Sequence, residues 1–321
     1  MGKAKITIED IAREAGVGIG TVSRVLNNSA HVAEDTRKRV LDVIKARQYV
    51  RSAAAAKLAR NNVVETTVGL LLPDIGNHYF FEIFEAIYQK FRGLGIDLII
   101  FNYEKHNPKV IQRVLDAQLS ALLIFAFHLV DSEREMLHRH NVPYLYIDYP
   151  SESEHCIYTD NIQGGRIAAQ YLHSRGVLNP CYIAVDPPAW ANEERLAGFV
   201  EEYQKFGVSS ISTFSSVLTE EEGYRVAEEI IASGKHDGIF CYCDDIAAGA
   251  IRAVRKHNAS ISVIGFDGVR ATDYLDLSTV SQEPQMIGEL ASSLIIKLIE
   301  GGNGHKPIRE LITPVLINRG S

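Results

Sequence analysis

With 321 residues, 46% of them hydrophobic and 23% charged, the chain has room for one small and one large domain and the composition of a globular protein. A net charge of −7 argues at first against a nucleic-acid partner. The distribution reverses that: residues 1–60 hold 12 Lys or Arg against 6 Asp or Glu, a net +6, and the rest hold 21 against 34, a net −13. A basic headpiece on an acidic body is the electrostatic footprint of a DNA-binding module attached to something else. No run of 18 apolar residues and no secretory leader is present, so the chain is expected to be soluble and cytoplasmic, without a membrane partner. Its four cysteines, Cys156, Cys181, Cys241 and Cys243, are expected to be free, buried thiols.

Residues 7–28, TIEDIAREAGVGIGTVSRVLNN, set the organisation of the N-terminus. Thr7 can cap a helix, with Glu9 and Asp10 in its first turn and Ile8, Ile11, Ala12 and Ala15 at helical spacing. Gly16 supplies the left-handed exit, and after Val17 and Gly18 a second short helix places Val22, Val25 and Leu26 on one face. Its other face shows Thr21, Ser23, Arg24 and Asn27, with Ile19 and Gly20 at the tip. Two short helices around a glycine-containing turn form the geometry that projects the second helix into the major groove. Hydroxyls and an Asn can reach phosphates or base edges, Arg24 can fork to guanine, and Ile19 suits a thymine methyl. The plainer alternative is a helical hairpin with a solvated polar face. A dinucleotide loop fails because GVGIG lacks the third glycine and follows a helix, not a strand.

A third helix is expected from about residue 33 to 48, with Val40, Val43 and Ile44 inward and Arg37, Lys38 and Arg39 outward. Residues 51–62, RSAAAAKLARNN, read as an alanine-rich linker, marginal as a helix in isolation. From residue 67 short apolar runs (VGLLLP, DLIIF, ALLIFAF, YLYIDY, then CYIAV, ISTFSS, GIFCYC, SVIGFD) alternate with helical stretches, which predicts two parallel, doubly wound sheets and a cleft between them.

The run from residue 7 to residue 50, with AxxAGVxxxTVSRVLN, then HV, TRxRV and a closing Tyr, resembles the headpiece of the lactose/galactose repressor family, and the similarity extends over nearly the whole chain. That resemblance implies an all-α helix-turn-helix headpiece (1–50), a hinge helix and linker (51–64), and an α/β two-lobed, periplasmic-binding-protein-like body (65–321). It further implies lobes built from 65–161 plus 284–305 and from 162–283 plus 306–321, with the final strand in the second. Expected DNA contacts are Thr7, Ile19, Gly20, Thr21, Ser23 and Arg24, joined by Asn27, His31 and Thr36 as phosphate candidates. Leu58 matches the hinge leucine that wedges into the minor groove; the alternative is a leucine packed on its own domain. Arg51 stands where relatives often carry Pro.

In the body, residues just past strand ends are the effector candidates: Asp74, Asn77, Tyr79 and Phe80 after the first strand, Phe127 after a later one, and Asp160, with Asn161 beside it, at the seam. Arg195, in RLAG, matches the family's effector arginine, against the alternative of a surface ion pair with Glu193 or Glu194. Asp267 in SVIGFD, Gln282 and the only tryptophan, Trp190, complete the set, and of Asp244 and Asp245 the first is expected to face the ligand and the second to cap a helix. The acidic residues favour a neutral, hydroxyl-rich effector such as a sugar, with a purine or a phosphorylated compound as the open alternatives. No cofactor, metal or catalytic constellation is indicated: the sequence lacks a phosphate loop, a nucleophile elbow and zinc spacing. The resulting expectation is a non-enzymatic transcriptional regulator, a repressor, that binds a pseudo-palindromic operator as a homodimer under the control of a sugar in its cleft. The alternatives are a solute-binding protein, or a regulator that answers to a protein corepressor instead of an effector.

Overall fold

The computed structural model describes residues 8–26, 32–47, 66–73, 76–104, 107, 109–187, 189–301 and 306–321. They form two units, one up to residue 65 and one from residue 66 onward.

The described residues of the first unit form three helices, α1 (Ile8–Ala15), α2 (Ile19–Leu26) and α3 (Glu34–Arg47). Gly16 has φ 64°, and the Val17 amide donates to the Ala12 carbonyl at 3.0 Å, closing α1 with the glycine-dependent cap read from the sequence. Ile11, Ala12, Ala15, Val22, Val25 and Val40 are buried against one another, with Val17, Val32, Val43 and Ile44 around them. So small a core fixes the angle between α1 and α2 and little else. Arg47 to Glu14 (2.8 Å) ties α3 back to α1.

The second unit opens with β1 (Thr67–Leu72), α4 (His78–Leu94), β2 (Asp97–Asn102), α5 (Lys109–Asp116), β3 (Ala121–Phe125), α6 (Asp131–Arg139), β4 (Tyr144–Ile147) and β5 (Cys156–Thr159). It continues with α7 (Asn161–Ser174), β6 (Pro180–Val185), α8 (Trp190–Lys205), β7 (Ser212–Ser216), α9 (Glu220–Ser233), β8 (Gly238–Cys241), α10 (Asp244–Lys256) and β9 (Ser262–Asp267). Last come α11 (Ala271–Tyr274), β10 (Ser278–Ser281), α12 (Pro284–Gly301), β11 (Arg309–Ile312) and β12 (Val315–Ile317).

Two six-stranded sheets result, ordered β11-β5-β4-β3-β1-β2 and β12-β10-β9-β8-β6-β7, parallel throughout except for antiparallel β12. In the first lobe α4 and α12 cover one face and α5 and α6 the other. In the second, α7 and α8 cover one face and α9 and α10 the other. The chain passes between lobes three times: after β5, between β10 and α12, and between β11 and β12. The Asp160 amide donates to the Ile312 carbonyl at 3.0 Å, binding the first crossing to the third.

One boundary differs from expectation. Residues 309–312 lie in the first lobe, where Arg309 to Ile312 pair in register with Cys156 to Thr159; only β12 joins the second lobe. The first lobe therefore reclaims the chain up to Ile312, because the open edge of β5 accepts a parallel strand there.

The helix pairs of the second lobe meet through glycines. A Cβ on Gly165 would lie 2.1 Å from the Arg195 carbonyl oxygen, and one on Gly198 would lie 2.0 Å from that of Ile162. Backbone thus rests on backbone where α7 crosses α8, and no rotamer change could make room for a methyl group.

Candidate functional site

The carboxyl ends of the central strands of both sheets face a small cavity of about 160 Å³. Three non-glycine residues at those ends hold positive φ: Ala126 after β3 (60°), Asp148 after β4 (59°) and Asp267 at the end of β9 (127°). All three line the cavity. Backbone strain gathered at one place is the mark of a site shaped for something other than packing.

Arg195 is its centre. It sits one turn into α8 and is 2% exposed. Its Nε donates to Asn161 Oδ1 (2.9 Å) and its Nη1 to the Tyr242 carbonyl (2.6 Å), while Asp267 Oδ1 stands 3.8 Å away. The guanidinium lies over the Phe266 ring at 3.7 Å and the Tyr242 ring at 4.6 Å. No surface ion pair with Glu193 or Glu194 forms. Asp267 accepts from Gln282 Nε2 at 2.8 Å, and burial drives its carboxyl well above the usual range, opposed by Arg195. Asp148 enters from the first lobe, pushed up to about 6 by burial, with Arg195 again opposing.

Of the cavity-lining residues, two from the first lobe carry a buried polar atom with no partner among the described residues, the Tyr79 hydroxyl and Asp148 Oδ1; both residues are more than nine-tenths buried. Burying such groups unpaired costs about 1–3 kcal/mol each, so their presence implies a partner that arrives from outside.

Of the expected effector residues, Asn77, Tyr79, Phe80, Trp190, Arg195 and Asp267 meet at this cavity. Asn77 also caps α4 by accepting from the Phe80 amide (3.1 Å). Phe127 stands outside it, in the wider mouth of the cleft. Asp74 falls outside the described residues. Four assignments need correction. Asp160 caps α7, accepting from the Gln163 amide at 2.9 Å, and its neighbour Asn161 is the one that reaches Arg195. Asp244 accepts from the amides of Gly268 (2.7 Å) and Val269 (3.0 Å) and from the Thr279 hydroxyl (2.7 Å), which engages both oxygens within the lobe, and it does not line the cavity. It pins the loop that carries Val269 into the core of the first lobe. Asp245 caps nothing and instead meets His78 Nδ1 across the lobes at 2.5 Å. Gln282, fully buried, acts behind Asp267 and does not line the cavity. Asp148 and Tyr242 were not anticipated, although Asp148 ends YLYID as Asp267 ends SVIGFD; Asn161 was a candidate beside Asp160 at the seam, and it is the one of the two that reaches the site.

In the headpiece, Ile19 is 49% exposed, Gly20 and Arg24 are exposed, and Thr21 and Thr36 are half-buried. The outer face of α2 is thus presented as expected. Thr7, Asn27, His31, Leu58 and the Ser23 side chain lie outside the described residues, as does the segment 51–64.

Comparison with known proteins agrees with this geometry. Residues 7–52 match the profile of the bacterial regulatory proteins of the lacI family, and residues 169–321 match a periplasmic binding protein-like domain. The PurR transcriptional repressor of Erwinia tasmaniensis is 30% identical over 98% of this chain and 96% of its own. The ribose operon repressor of Halalkalibacterium halodurans is 29% identical over 92% and 90%. Among solved structures, a lac repressor dimer bound to operator and an anti-inducer superposes with a TM-score of 0.73 at 22% identity, covering 98% of both chains. The headpiece and two-lobed body are those of a DNA-binding transcriptional repressor governed by a small-molecule effector, a class of regulators and not of enzymes. The chain belongs to the lacI family of bacterial regulatory proteins.

Proposed function

We propose that this repressor binds a pseudo-palindromic operator as a homodimer and that its effector is a neutral sugar held between the lobes. The observation that carries the effector class is the polar content of the cavity: two carboxyl groups, one arginine and two tyrosines converge on a space of about 160 Å³. Asp148 and Asp267 already offset the single Arg195, leaving it no spare positive charge for a phosphate or carboxylate, whereas sugar hydroxyls both donate to carboxyl oxygens and accept from a guanidinium. Phe80 and Trp190 add flat apolar surface for the ring. The ribose operon repressor among the relatives supports this reading, and the PurR relatives make a purine the rival.

The DNA contacts run through Ile19, Gly20, Thr21, Ser23 and Arg24 of α2, with Thr7, Asn27, His31 and Thr36 on phosphates and Leu58 in the minor groove. Dimerisation is supported by an aromatic row on the outer face of α4, where Phe81 is 50% and Tyr88 44% exposed with Phe84 between them. A thermal-shift screen of monosaccharides and nucleobases tests the effector class: a sugar is expected to raise the melting temperature. A rise with a nucleobase alone would replace the sugar with a purine. For the DNA half, removal of residues 1–60 is expected to abolish operator binding while ligand binding persists, and retained operator affinity would refute the headpiece assignment.

A further inference from the structure

We infer that the cleft contains a second, outer subsite that takes the second ring of a disaccharide, so that the effector is a two-ring sugar. This rests on the sugar reading above. The inner cavity, at about 160 Å³, holds about ten water-sized groups by the yardstick of roughly 10–15 Å³ each, which is one hexose and not two. It does not end there. Pro73, Ala126, Ala189 and Trp190 are shared with an outer cavity of about 1120 Å³ at the mouth of the cleft.

The lining of that outer space is aromatic where the inner one is charged. Tyr103 and Phe127 lie parallel, 9° apart with centroids at 3.9 Å, and Tyr149 meets Trp190 edge-on at 5.7 Å. The Tyr103 hydroxyl donates to Glu133 Oε2 (3.1 Å) and its amide to the Leu72 carbonyl (2.8 Å), so this platform is anchored before anything binds. Phe127, Tyr149 and Trp190 each remain half-exposed. Flat rings with polar groups beside them match the two faces of a pyranose, whose C–H side seeks apolar surface and whose hydroxyls seek partners at the rim. His128 and Ser132 supply those partners. Burial, reinforced by Arg134, holds the His128 imidazole below its ordinary range and favours the neutral ring that can both donate and accept. The charged inner pocket would fix one ring by hydrogen bonds, and the aromatic mouth would select what is attached to it.

The chain's single tryptophan lies on the boundary of the two spaces, so its fluorescence reports on both. Lactose, cellobiose, maltose and melibiose are titrated into the full-length repressor alongside glucose, galactose and their methyl glycosides, with calorimetry as the second measurement. At least one disaccharide is expected to bind about tenfold more tightly than the methyl glycoside of its non-reducing unit. Phe127→Ala, and Phe127→Leu as the variant that keeps apolar bulk, are expected to reduce that advantage to about twofold or less. Methyl glycosides binding as tightly as every disaccharide would overturn the outer subsite, as would an advantage that survives both substitutions. A protein that ignores all these sugars, single-ring and double-ring alike, would instead overturn the sugar reading on which the subsite rests.

Discussion

The two lobes contribute to the cleft in opposite ways. The second lobe arrives wired: Arg195 is held by Asn161 and Tyr242, and Asp267 by Gln282. The first lobe arrives with Tyr79 and Asp148 buried and, among the described residues, lacking partners for the hydroxyl and for Oδ1. One wall is therefore a preorganised receptor for a ligand, and the other is a wall whose polar groups a ligand would complete. A molecule that fills both would favour the arrangement in which the lobes face each other at the spacing seen here. That differential affinity is what a coupled conformational change requires.

The contrast can be broken at the wired wall. Arg195→Ala is expected to abolish the ligand-induced rise in melting temperature and to cost roughly 3–5 kcal/mol of stability, because Asp148 and Asp267 lose the charge that compensates them. Denaturant unfolding with and without ligand measures both effects, and an intact ligand response would remove the arginine from the site. Asp244→Ala comes next. It strands the amides of Gly268 and Val269 and the Thr279 hydroxyl, at about 2–4 kcal/mol, and frees the loop that reaches into the first lobe. Unlike a ligand contact, it should leave residual ligand binding in whatever fraction stays folded.

The completed wall can be probed by pH. Asp148 titrates at about 6 in the fold against an ordinary 3.8, so the folded chain keeps a proton that the unfolded chain releases. Its favourable contribution is whole below about pH 4 and is lost as pH rises towards 6. Asp148→Asn should accordingly gain on the wild type between those values by on the order of 2 kcal/mol and then level off. Urea titrations at pH 4.5 and 7.5 decide it: a difference that does not change with pH places Asp148 in contact with solvent. The smallest effect is expected from His78→Ala. Removing an exposed partner of Asp245 should alter ligand affinity by the equivalent of less than ~1 kcal/mol. A larger change, read by calorimetry, would make this lobe-to-lobe contact a main determinant of the closed arrangement.

Much of this was legible in the residues because the signals are local. Gly16 and the apolar spacing around it mark the two headpiece helices, and apolar runs such as ALLIF declare buried parallel strands. Asp267 could be named from its place at a strand end, and Arg195 from the RLAG context that the family resemblance supplies. What escaped depends on partners distant in sequence. β10 reads STVS and looks like a loop, yet Ser278 and Thr279 are fully buried because Tyr171 and Asp244 satisfy their hydroxyls. The choice between Asp244 and Asp245 could not be made from a helix wheel, since each is claimed by a segment far away in the chain, the 268–269 loop and His78. Asp160 and Asn161 are neighbours whose side chains take different directions: the first helical position points to Arg195 and the cap turns back to the Gln163 amide. Asp148 was within reach, since the rule that picks residues at carboxyl ends of strands applies to it as well as to Asp267.

The glycine crossing of α7 on α8 has a mechanical consequence. The first of these helices begins one residue after the chain leaves the sheet of the other lobe, and Asn161 at that point grips the guanidinium directly. With main chain seated on main chain at Gly165 and Gly198, no compressible side chain lies between to absorb movement. Pivoting about the strand-to-helix junction must therefore swing Arg195 with it, like a lever without play, so whatever holds the arginine also holds the pivot.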